Sequence, residues 1–569
     1  MTLFKRTLSV LTAAAVVAGV SAVIATSDLK SDKQPSDNGG QTTVGYADFS
    51  SIATVSEILE VAMNVAPSGE VINMSAHLTP TATAAEQTSY AVGNAAALNA
   101  LLSSLDASKE YVLYFKGGCY GLNGAVTFPE NTTLMFDSNA SSSLYCGYGT
   151  TPVFNCKNVI TESDHCVFYL DINSIPENSG NFANLSYVRP EWFGGFPSDG
   201  IDDSGAFTLA ARFGIPVLLS EGVYNVNSPV NVRNDLFLYG NTESKGSVIK
   251  VAAGVTAFNV ICYTSQSVDS NGVISRVGNA YVSRIENVKF EGAAMSSGGA
   301  VAYYGVNNGV SRIDAYNCEF NDLGTAVFFD FSGGCSFEDL VFNRVDRAVD
   351  VGAYSMFIFV TDCHAADSSC LVFCDQLETN GVANGIQIDR CSTLRNRWAS
   401  VYITKNQTTF ITNCNFDAIS NWGIKLIECY DSRIDNNVIT FSGTHSETGL
   451  FEEGIYLDTS SGRESVTGNH VIGFTIGIAL TKGNCTRSGA IVHNNLIKDC
   501  VNGMYIANLN DVKIIANAFK GCAMGMYGSN NAGVIIAQNT FNGNGSDEIL
   551  KNVIGFVSGI VANNGYGIA

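Results

Sequence analysis

The tripeptides Asn437-Val438-Ile439, Asn469-His470-Val471, Asn495-Leu496-Ile497, Asn517-Ala518-Phe519 and Asn539-Thr540-Phe541 repeat one pattern, an Asn followed two positions later by an apolar residue. Five segments upstream share its phase: Cys318-Glu319-Phe320, Leu340-Val341-Phe342, Cys363-His364-Ala365, Cys391-Ser392-Thr393 and Cys414-Asn415-Phe416. The steps between lead residues are 22, 23, 28, 23, 23, 32, 26, 22 and 22. A basic period with occasional insertions is typical of a solenoid with one coil per repeat.

A second column of mostly small residues keeps the same phase and precedes apolar runs of period two. Its members are Gly324, Ala348, Cys370, Ala399, Gly423, Gly454, Gly477, Gly503 and Gly525. Twenty-two residues at ~3.3 Å each are too few for a coil that carries an outer helix. They suffice for a coil of three short strands, and each strand then pairs with the equivalent strand of the next coil, ~4.8 Å away. The sequence therefore predicts an all-β parallel β-helix in which the lead Asn side chains stack at one turn.

Composition narrows the possible partners. The chain has 569 residues, 46% of them hydrophobic, and a net charge of −21 without a basic block, which argues against binding of nucleic acid or anionic membranes. None of the sixteen Cys residues forms a zinc pattern, and we expect neither a metal nor a cofactor. Cys500 and Cys522 lie one period apart, but their parallel Cβ vectors would strain a disulfide, so buried thiols are favoured over bridges.

The N-terminus has the pattern of a secretory signal peptide. Lys5 and Arg6 precede an apolar run that ends in small residues, with cleavage expected near Ala22 or Ala25. The alternative is a membrane anchor of about 18 residues. We therefore predict a signal peptide over 1–25, a linker and N-terminal segment over 26–85, and a secreted or cell-surface protein.

Two segments share the order helix, strand, Gly-containing turn and strand, which indicates an internal duplication. The first has a helix near 95–105 and strands near 111–115 and 125–136; the second has a helix near 205–213 and strands near 216–226 and 236–239. Each helix is expected to cap an open end of a solenoid. We predict an N-terminal β-helix-like module over 86–186 and the main β-helix over 187–569.

The second of these segments carries a recognisable motif. Arg189-Pro190-Glu191-Trp192-Phe193-Gly194-Gly195 is followed by Asp199-Gly200-Ile201-Asp202-Asp203-Ser204 and, after the helix, by Val217-Leu218-Leu219-Ser220-Glu221-Gly222-Val223-Tyr224. This pattern resembles the opening of the pectate-lyase-like (pectin-lyase-fold) superfamily of right-handed parallel β-helix proteins. The resemblance covers about residues 187–560. We expect Asp202 or Asp203 to be the helix N-cap rather than a metal ligand.

The resemblance implies a fold but no single reaction, since the superfamily includes polysaccharide lyases, glycoside hydrolases, uronate epimerases, tailspikes and adhesins. The chain lacks the N-T-D and G-H-G motifs of the polygalacturonase branch, and Arg433-Ile434-Asp435 only half matches its R-I-K motif. Family geometry implies that sugars bind along the strand that follows the small-residue column.

On that strand the alternation predicts one outward-facing column: Phe328, Asp350, Val372, Tyr402, Lys425, Tyr456, Ala479 and Tyr505. The loops beside it carry Arg397, Trp398, Asp417 and Trp422, and the longest insertion, 442–453, ends in Glu452 and Glu453. We assign substrate binding to Arg397, Trp398, Tyr402, Trp422 and Tyr456, and catalysis to Asp417, Lys425, Glu453 and Asp458. Aromatic faces suit sugar stacking, and paired carboxylates suit acid–base work on a glycosidic bond.

Two reactions stay open at this point. In a hydrolase, one of Asp417, Glu452, Glu453 and Asp458 would donate a proton and another would act as base or nucleophile. In a lyase, Lys425 would be the base and Arg397 would neutralise a uronate carboxylate. The competing interpretation is that these residues are scattered over an acidic surface. Two weaker candidate sites are Asp362, His364 and Asp367 on one coil, and Asp389 with Asp435 two coils apart.

Together these features predict a secreted protein that binds a polysaccharide or cell-surface glycan and cleaves it as a hydrolase or lyase. The alternative is a non-catalytic adhesin, structural fibre or tailspike-like virion protein, for which a homotrimer is one expected assembly. Contact with a membrane is expected only through an uncleaved N-terminal segment.

Overall fold

The computed structural model describes residues 69–80, 93–137, 142–147, 150, 152–161, 166–172, 184–241, 246–270, 272–306, 311–377, 381–443, 452–459, 463–482, 489–545, 553–554, 559–562 and 564–566. The predicted signal peptide, most of the predicted linker and most of the 442–453 insertion lie outside these residues. No helix among the described residues has the length and apolar composition that crossing a bilayer requires.

The chain folds into a right-handed parallel β-helix of about 16 turns, which confirms the predicted fold class. Three strand columns run along its axis. The first column is a 14-stranded parallel sheet: Val217–Leu218, Leu236–Tyr239, Val282–Glu286, Arg312–Tyr316, Ser336–Glu338, Met356–Thr361, Ala383–Asp389, Asn406–Thr412, Arg433–Asp435, Glu464–Thr467, Ala490–His493, Lys513–Ile515, Val534–Ala537 and Gly559–Ala562.

The second and third columns are joined within a 25-stranded sheet. The second column follows the lead Asn or Cys of each repeat: Gly222–Val226, Ser247–Val251, Lys289–Glu291, the first halves of Glu319–Asp330 and Val341–Val351, His364–Ala366, Ser392–Leu394, Asn415–Ile419, Val438–Phe441, His470–Ile472, Leu496–Lys498, Ala518–Lys520, Thr540–Asn542 and Gly565–Tyr566.

The third column, called the face column here, carries the candidate site. It begins with Val230–Val232, Thr256–Ile261, Gly299–Tyr304 and the second halves of Glu319–Asp330 and Val341–Val351. It continues with β1 (Cys370–Cys374), β2 (Ala399–Thr404), β3 (Trp422–Cys429), β4 (Glu453–Thr459), β5 (Ile476–Lys482), β6 (Asn502–Ala507) and β7 (Met524–Ser529), and it ends at Val553–Ile554.

The lead Asn residues form a hydrogen-bonded ladder, as the period predicts. The side-chain Nδ2 of Asn437 donates to Oδ1 of Asn469 at 2.9 Å, and the same bond links each following pair through Asn495, Asn517 and Asn539. Each Nδ2 also donates to a backbone carbonyl of the turn, for example that of Ile411. The ladder thereby satisfies buried polar groups at a sharp bend.

Cysteine replaces asparagine in the upper coils with a similar role. The thiol of Cys414 lies 3.8 Å from the carbonyl oxygen of Ile388 and 3.2 Å from that of Thr412, positions equivalent to those that the ladder amides contact. All fifteen cysteines in the described part of the chain are free thiols, and all but Cys166 are buried. Cys485 lies outside that part. The preference for thiols over disulfides is confirmed for these fifteen.

The residue before each ladder position has a left-handed backbone, which creates the bend. Positive φ values of 47–69° occur at Asn317, Asp339, Asp362, Arg390, Asn413, Asn436, Gly468, Asn494, Ala516 and Gln538. Seven of these ten residues are Asn, Asp or Gly, the residue types that reach this region at least cost.

The small-residue column has a different cause. A Cβ on Gly454 would lie 2.2 Å from Cγ1 of Val471 and 2.6 Å from the carbonyl oxygen of Gly477, so the coils leave no room there for a side chain.

The N-terminal module is also built of parallel strands. Its three sheets contain Glu70–Asn73, Tyr111–Phe115, Thr132–Phe136 and Asn158–Thr161; Cys119–Leu122, Ser143–Cys146 and Phe168–Leu170; and Thr127–Phe128 with Val153–Phe154. Helix α1 (Ala95–Ser104) precedes its second strand, and α2 (Ser204–Ala211) precedes the main β-helix. Short 3-10 helices span Met74–Ala76 and Pro190–Phe193, and an antiparallel hairpin pairs Tyr263–Val268 with Ile274–Gly278.

Asp203 occupies the N-cap position of α2, but its carboxylate does not cap that helix. Its Oδ2 accepts the backbone N–H of Asn225 at 2.7 Å, whereas Oδ1 of Asp202 accepts the backbone N–H of Ser204 at 3.1 Å. Both side chains therefore hold the start of α2 against the first coil, which agrees with the structural role expected for this pair.

Candidate functional site

An aromatic cluster covers the outward side of β1, β2 and β3. The ring of Trp398 lies 4.7 Å from that of Tyr402 and meets Trp422 edge-on at 5.5 Å between centroids. Phe373 stacks on Tyr402 at 5.5 Å with an interplanar angle of 14°. Residues 373, 402, 398 and 422 thus form one surface, called the aromatic platform here, which spans three successive coils.

Charged groups border the platform on β3 and β4. The Nζ of Lys425 lies 3.6 Å from the ring centroid of Trp422 and 5.0 Å from that of Tyr456, so the ammonium group is held between two aromatic faces. Burial lowers the pKa of Lys425, while the Glu453 carboxylate opposes that shift. Tyr402, Lys425 and Tyr456 are register partners across adjacent strands, which places them in one line.

Glu453 begins β4 directly beside the platform. Its side chain is buried, with only 8% of the residue exposed, and its Oε2 accepts a 3.1 Å hydrogen bond from Nε1 of Trp422. Burial raises its pKa to about 7, although the Lys425 charge and the indole N–H both favour the ionised form. A carboxyl group that titrates near neutral pH can donate or accept a proton under ordinary conditions.

Asp458 lies on the same strand but in a separate environment. Burial, together with the nearby carboxylates of Glu428 and Glu464, raises the pKa of Asp458 to about 6. It follows Glu453 by five residues, which is ~16 Å along a strand. Glu453 instead interacts with Trp422 and Lys425 on the preceding coil. The two carboxyl groups therefore face different neighbours.

The remaining predicted residues are not drawn into this cluster. Asp417 is exposed on Asn415–Ile419, a strand of the second column, where its carboxylate accepts a hydrogen bond from the hydroxyl of Thr440. Arg397 is exposed and directly precedes Trp398 in the chain. The hydrogen bond from Arg395 lowers the pKa of Asp367, and the Arg397 charge adds to that shift.

The structure corrects one position of the predicted outward column. Val372 is fully buried, and Phe373 is the register partner of Tyr402. Sequence reasoning missed Phe373 because five consecutive apolar or Cys residues, 370–374, hide the alternation. It also missed Arg347, whose guanidinium lies 3.9 Å from the ring centroid of Phe373 and pairs with Asp350 at 3.1 Å.

The residues of the two weaker candidate sites are engaged in ion pairs or hydrogen bonds with nearby side chains. Asp362 pairs with Arg390 and Asp367 with Arg395, each at 2.7 Å, and His364 Nδ1 lies 2.8 Å from the hydroxyl of Ser392. Asp389 also pairs with Arg390, and Asp435 pairs with Arg433. These contacts are those of structural surface networks rather than of a catalytic pair.

Comparison with known proteins agrees with this architecture. The family model described as right handed beta helix region matches residues 375–488, a segment that contains β2 to β5. The described part of the chain is a right-handed parallel β-helix. No curated protein matches the chain.

Solved structures that are similar to part of this chain carry diverse descriptions. They include tailspike protein 3 of bacteriophage CBA120 (14% identity, TM-score 0.40, 67% of this chain and 60% of that one) and the surface adhesin PfbA of Streptococcus pneumoniae (13%, 0.35, 67% and 97%). A third is the A-module of mannuronan C-5 epimerase AlgE6 from Azotobacter vinelandii, with 12% identity and a TM-score of 0.33. That match covers 67% of this chain and 99% of the epimerase module. The chain spans less than two thirds of the tailspike. At these identities the likeness concerns the fold alone.

Proposed function

We propose that the face column binds an extended polysaccharide and that Lys425 and Glu453 catalyse proton transfer on the bound sugar. The observation that carries this proposal is the position of Glu453. A buried carboxyl group with a pKa of about 7 lies at the edge of an aromatic platform and is hydrogen-bonded to one of its rings. Pyranose rings present apolar C–H faces that pack on such aromatic rings.

The arrangement favours β-elimination over hydrolysis. Glycoside hydrolases hold two carboxyl groups about 5–9.5 Å apart across the scissile bond. Glu453 and Asp458 are oriented toward different neighbours, and Asp417 lies on another strand column. The ionisable group that shares the environment of Glu453 is Lys425, whose pKa is lowered by burial.

In the proposed elimination, the neutral amine of Lys425 removes the proton on the carbon next to a uronate carboxylate. The C–H electron pair forms the C=C bond as the C–O bond to the leaving sugar breaks, and protonated Glu453 donates its proton to the leaving oxygen. Arg397, exposed beside Trp398, is the proposed cation for the uronate carboxylate. The N-terminal export pattern would place the protein at the cell surface or in the medium. It would meet such a polymer there.

The test is a screen of purified protein on alginate, polygalacturonate, hyaluronan and a neutral glucan. Elimination yields an unsaturated sugar that absorbs in the ultraviolet, whereas hydrolysis yields reducing ends without that absorbance. We expect ultraviolet-absorbing product from an acidic polymer, and a loss of 10²-fold or more in kcat for Glu453→Gln and for Lys425→Met. Asp417→Asn is the control and should retain activity.

Two outcomes would contradict this assignment. Reducing ends without ultraviolet absorbance would indicate a hydrolase. Polymer binding without cleavage, abolished by Tyr456→Ala, would indicate the non-catalytic adhesin that the sequence left as the alternative.

A further inference from the structure

A second aromatic pair lies on the same face, beyond the proposed reactive residues. Tyr505 on β6 and Tyr527 on β7 have ring centroids 4.7 Å apart and an interplanar angle of 32°. Both rings are partly exposed. Neither residue belongs to the platform or to the Lys425–Glu453 pair described above.

This pair is aligned with the reactive residues through an unbroken strand register. Lys425 pairs with Tyr456, Tyr456 with Ala479, Ala479 with Tyr505, and Tyr505 with Tyr527. Ala479 is the one small residue in this line, and it is fully buried.

The register gives the length of this stripe. Successive coils are ~4.8 Å apart, so Tyr527 lies ~19 Å from Lys425 along the axis, and Phe373 lies ~10 Å from Lys425 in the other direction. The coil spacing is close to the length of one sugar unit in an extended chain. A polymer lying along the axis would therefore contact an aromatic ring on both sides of the reactive pair, with a longer arm toward Tyr527.

We propose that Tyr505 and Tyr527 form a distal sugar subsite that holds the polymer parallel to the β-helix axis, so that cleavage occurs at internal linkages. This inference rests on the proposed function and adds the direction, length and internal position of the substrate. The subsite takes an uncharged pyranose face, since two phenol rings supply stacking area without a cation.

The test compares oligosaccharides of two to eight units, prepared from whichever of the four screened polymers the wild type cleaves. For Tyr505→Ala and Tyr527→Ala we expect KM for the octamer to rise about 2- to 12-fold, the range expected for loss of one aromatic contact. Kinetics on the trimer should not change, because a trimer that starts at Lys425 spans β3 to β5 and reaches neither Tyr505 on β6 nor Tyr527 on β7. Tyr527→Phe keeps the ring and should behave as wild type. Tyr169→Ala, at a 38% exposed tyrosine of the N-terminal module, is the matched control.

Binding provides a readout that does not require cleavage. In affinity electrophoresis through gels that contain each polymer, the wild type should be retarded and the Tyr505→Ala/Tyr527→Ala double variant should be retarded less. If the wild type cleaves an acidic polymer but the variants affect trimer and octamer equally, or affect neither, the distal subsite is wrong and the proposed function stands. If the wild type is neither retarded nor active on any of the four polymers, both are wrong.

Discussion

The indole of Trp422 and the carboxyl group of Glu453 are register partners on β3 and β4, joined by a 3.1 Å hydrogen bond from Nε1 to Oε2. This bond links the aromatic platform to a buried acid at its edge. The bond holds the carboxyl group of Glu453 at the edge of the sugar-stacking surface, where the packed coils bury it. The position of this carboxyl group and its burial therefore have the same structural origin, the stacking of successive coils.

Replacing Glu453 by Gln should stabilise the protein at alkaline pH. The folded pKa of Glu453 is raised from 4.5 to about 7, so the folded state binds this proton more tightly than the unfolded state does. Its contribution to stability is fully present below pH 4.5 and is lost as the pH rises through 7. At 1.36 kcal/mol per pKa unit, the ionised form costs ~3 kcal/mol at pH 8. We expect Glu453→Gln to raise the denaturation midpoint at pH 8 and to change it little at pH 4. An equal change at both pH values would contradict the raised pKa.

Replacing Trp422 by Phe should raise the pKa of Glu453 further. The indole N–H stabilises the ionised carboxylate, and Phe keeps an aromatic ring but cannot donate this bond. The measurement is the free energy of unfolding of Trp422→Phe and of Trp422→Phe/Glu453→Gln across a range of pH. The pH at which the difference between the two proteins changes reports the pKa of Glu453. Trp398→Phe is the control, since the ring contacts of Trp398 are with Phe373, Tyr402 and Trp422. An unchanged titration in Trp422→Phe would show that this hydrogen bond does not act on the carboxylate.

Removing one rung of the Asn ladder should destabilise the lower coils. Asn495 is buried, donates to the carbonyl of Val466 and to Oδ1 of Asn517, and accepts the backbone N–H of Asn469. Asn495→Ala leaves several of these groups unpaired, at ~1–3 kcal/mol each.

Asn495→Cys should cost less, because a thiol can donate to the turn carbonyls as Cys414 does. Denaturant unfolding and hydrogen exchange would measure both effects, with Asn542→Ala, at an exposed strand position, as control. Equal losses for Ala and Cys would show that Cys does not substitute for Asn in the ladder.

Export from the cytoplasm should remove the first residues of the chain. The basic pair at Lys5 and Arg6 and the apolar run after it predict cleavage near Ala22 or Ala25. N-terminal sequencing of protein from its native source would identify the first residue. A mature chain that begins at residue 1 or 2 would instead favour the anchor or virion interpretation.

The sequence alone determined the fold because a β-helix repeats local rules. The period of about 22 residues, the lead Asn column and the small-residue column each reflect contacts between neighbouring coils, so they recur along the chain and are readable without a structure. The same holds for the strands at Tyr111–Phe115, Gly222–Val226 and Leu236–Tyr239, which agree with the predicted segments. This period alone also aligns Tyr402, Lys425 and Tyr456, which are register partners in the structure.

Only the tertiary structure decided which side chains meet. Insertions of different length between the repeats meant that Trp398, Trp422 and Glu453, which lie at strand starts, could not be positioned from alternation. The unbroken apolar run around Phe373 hid which residue faces outward. The pKa of Glu453 depends on how deeply one coil buries it and on a single indole N–H from the coil before it. Period specifies the order of the coils, whereas burial and side-chain direction arise only when the coils are stacked. These two properties distinguish the buried Glu453 from the exposed Asp417.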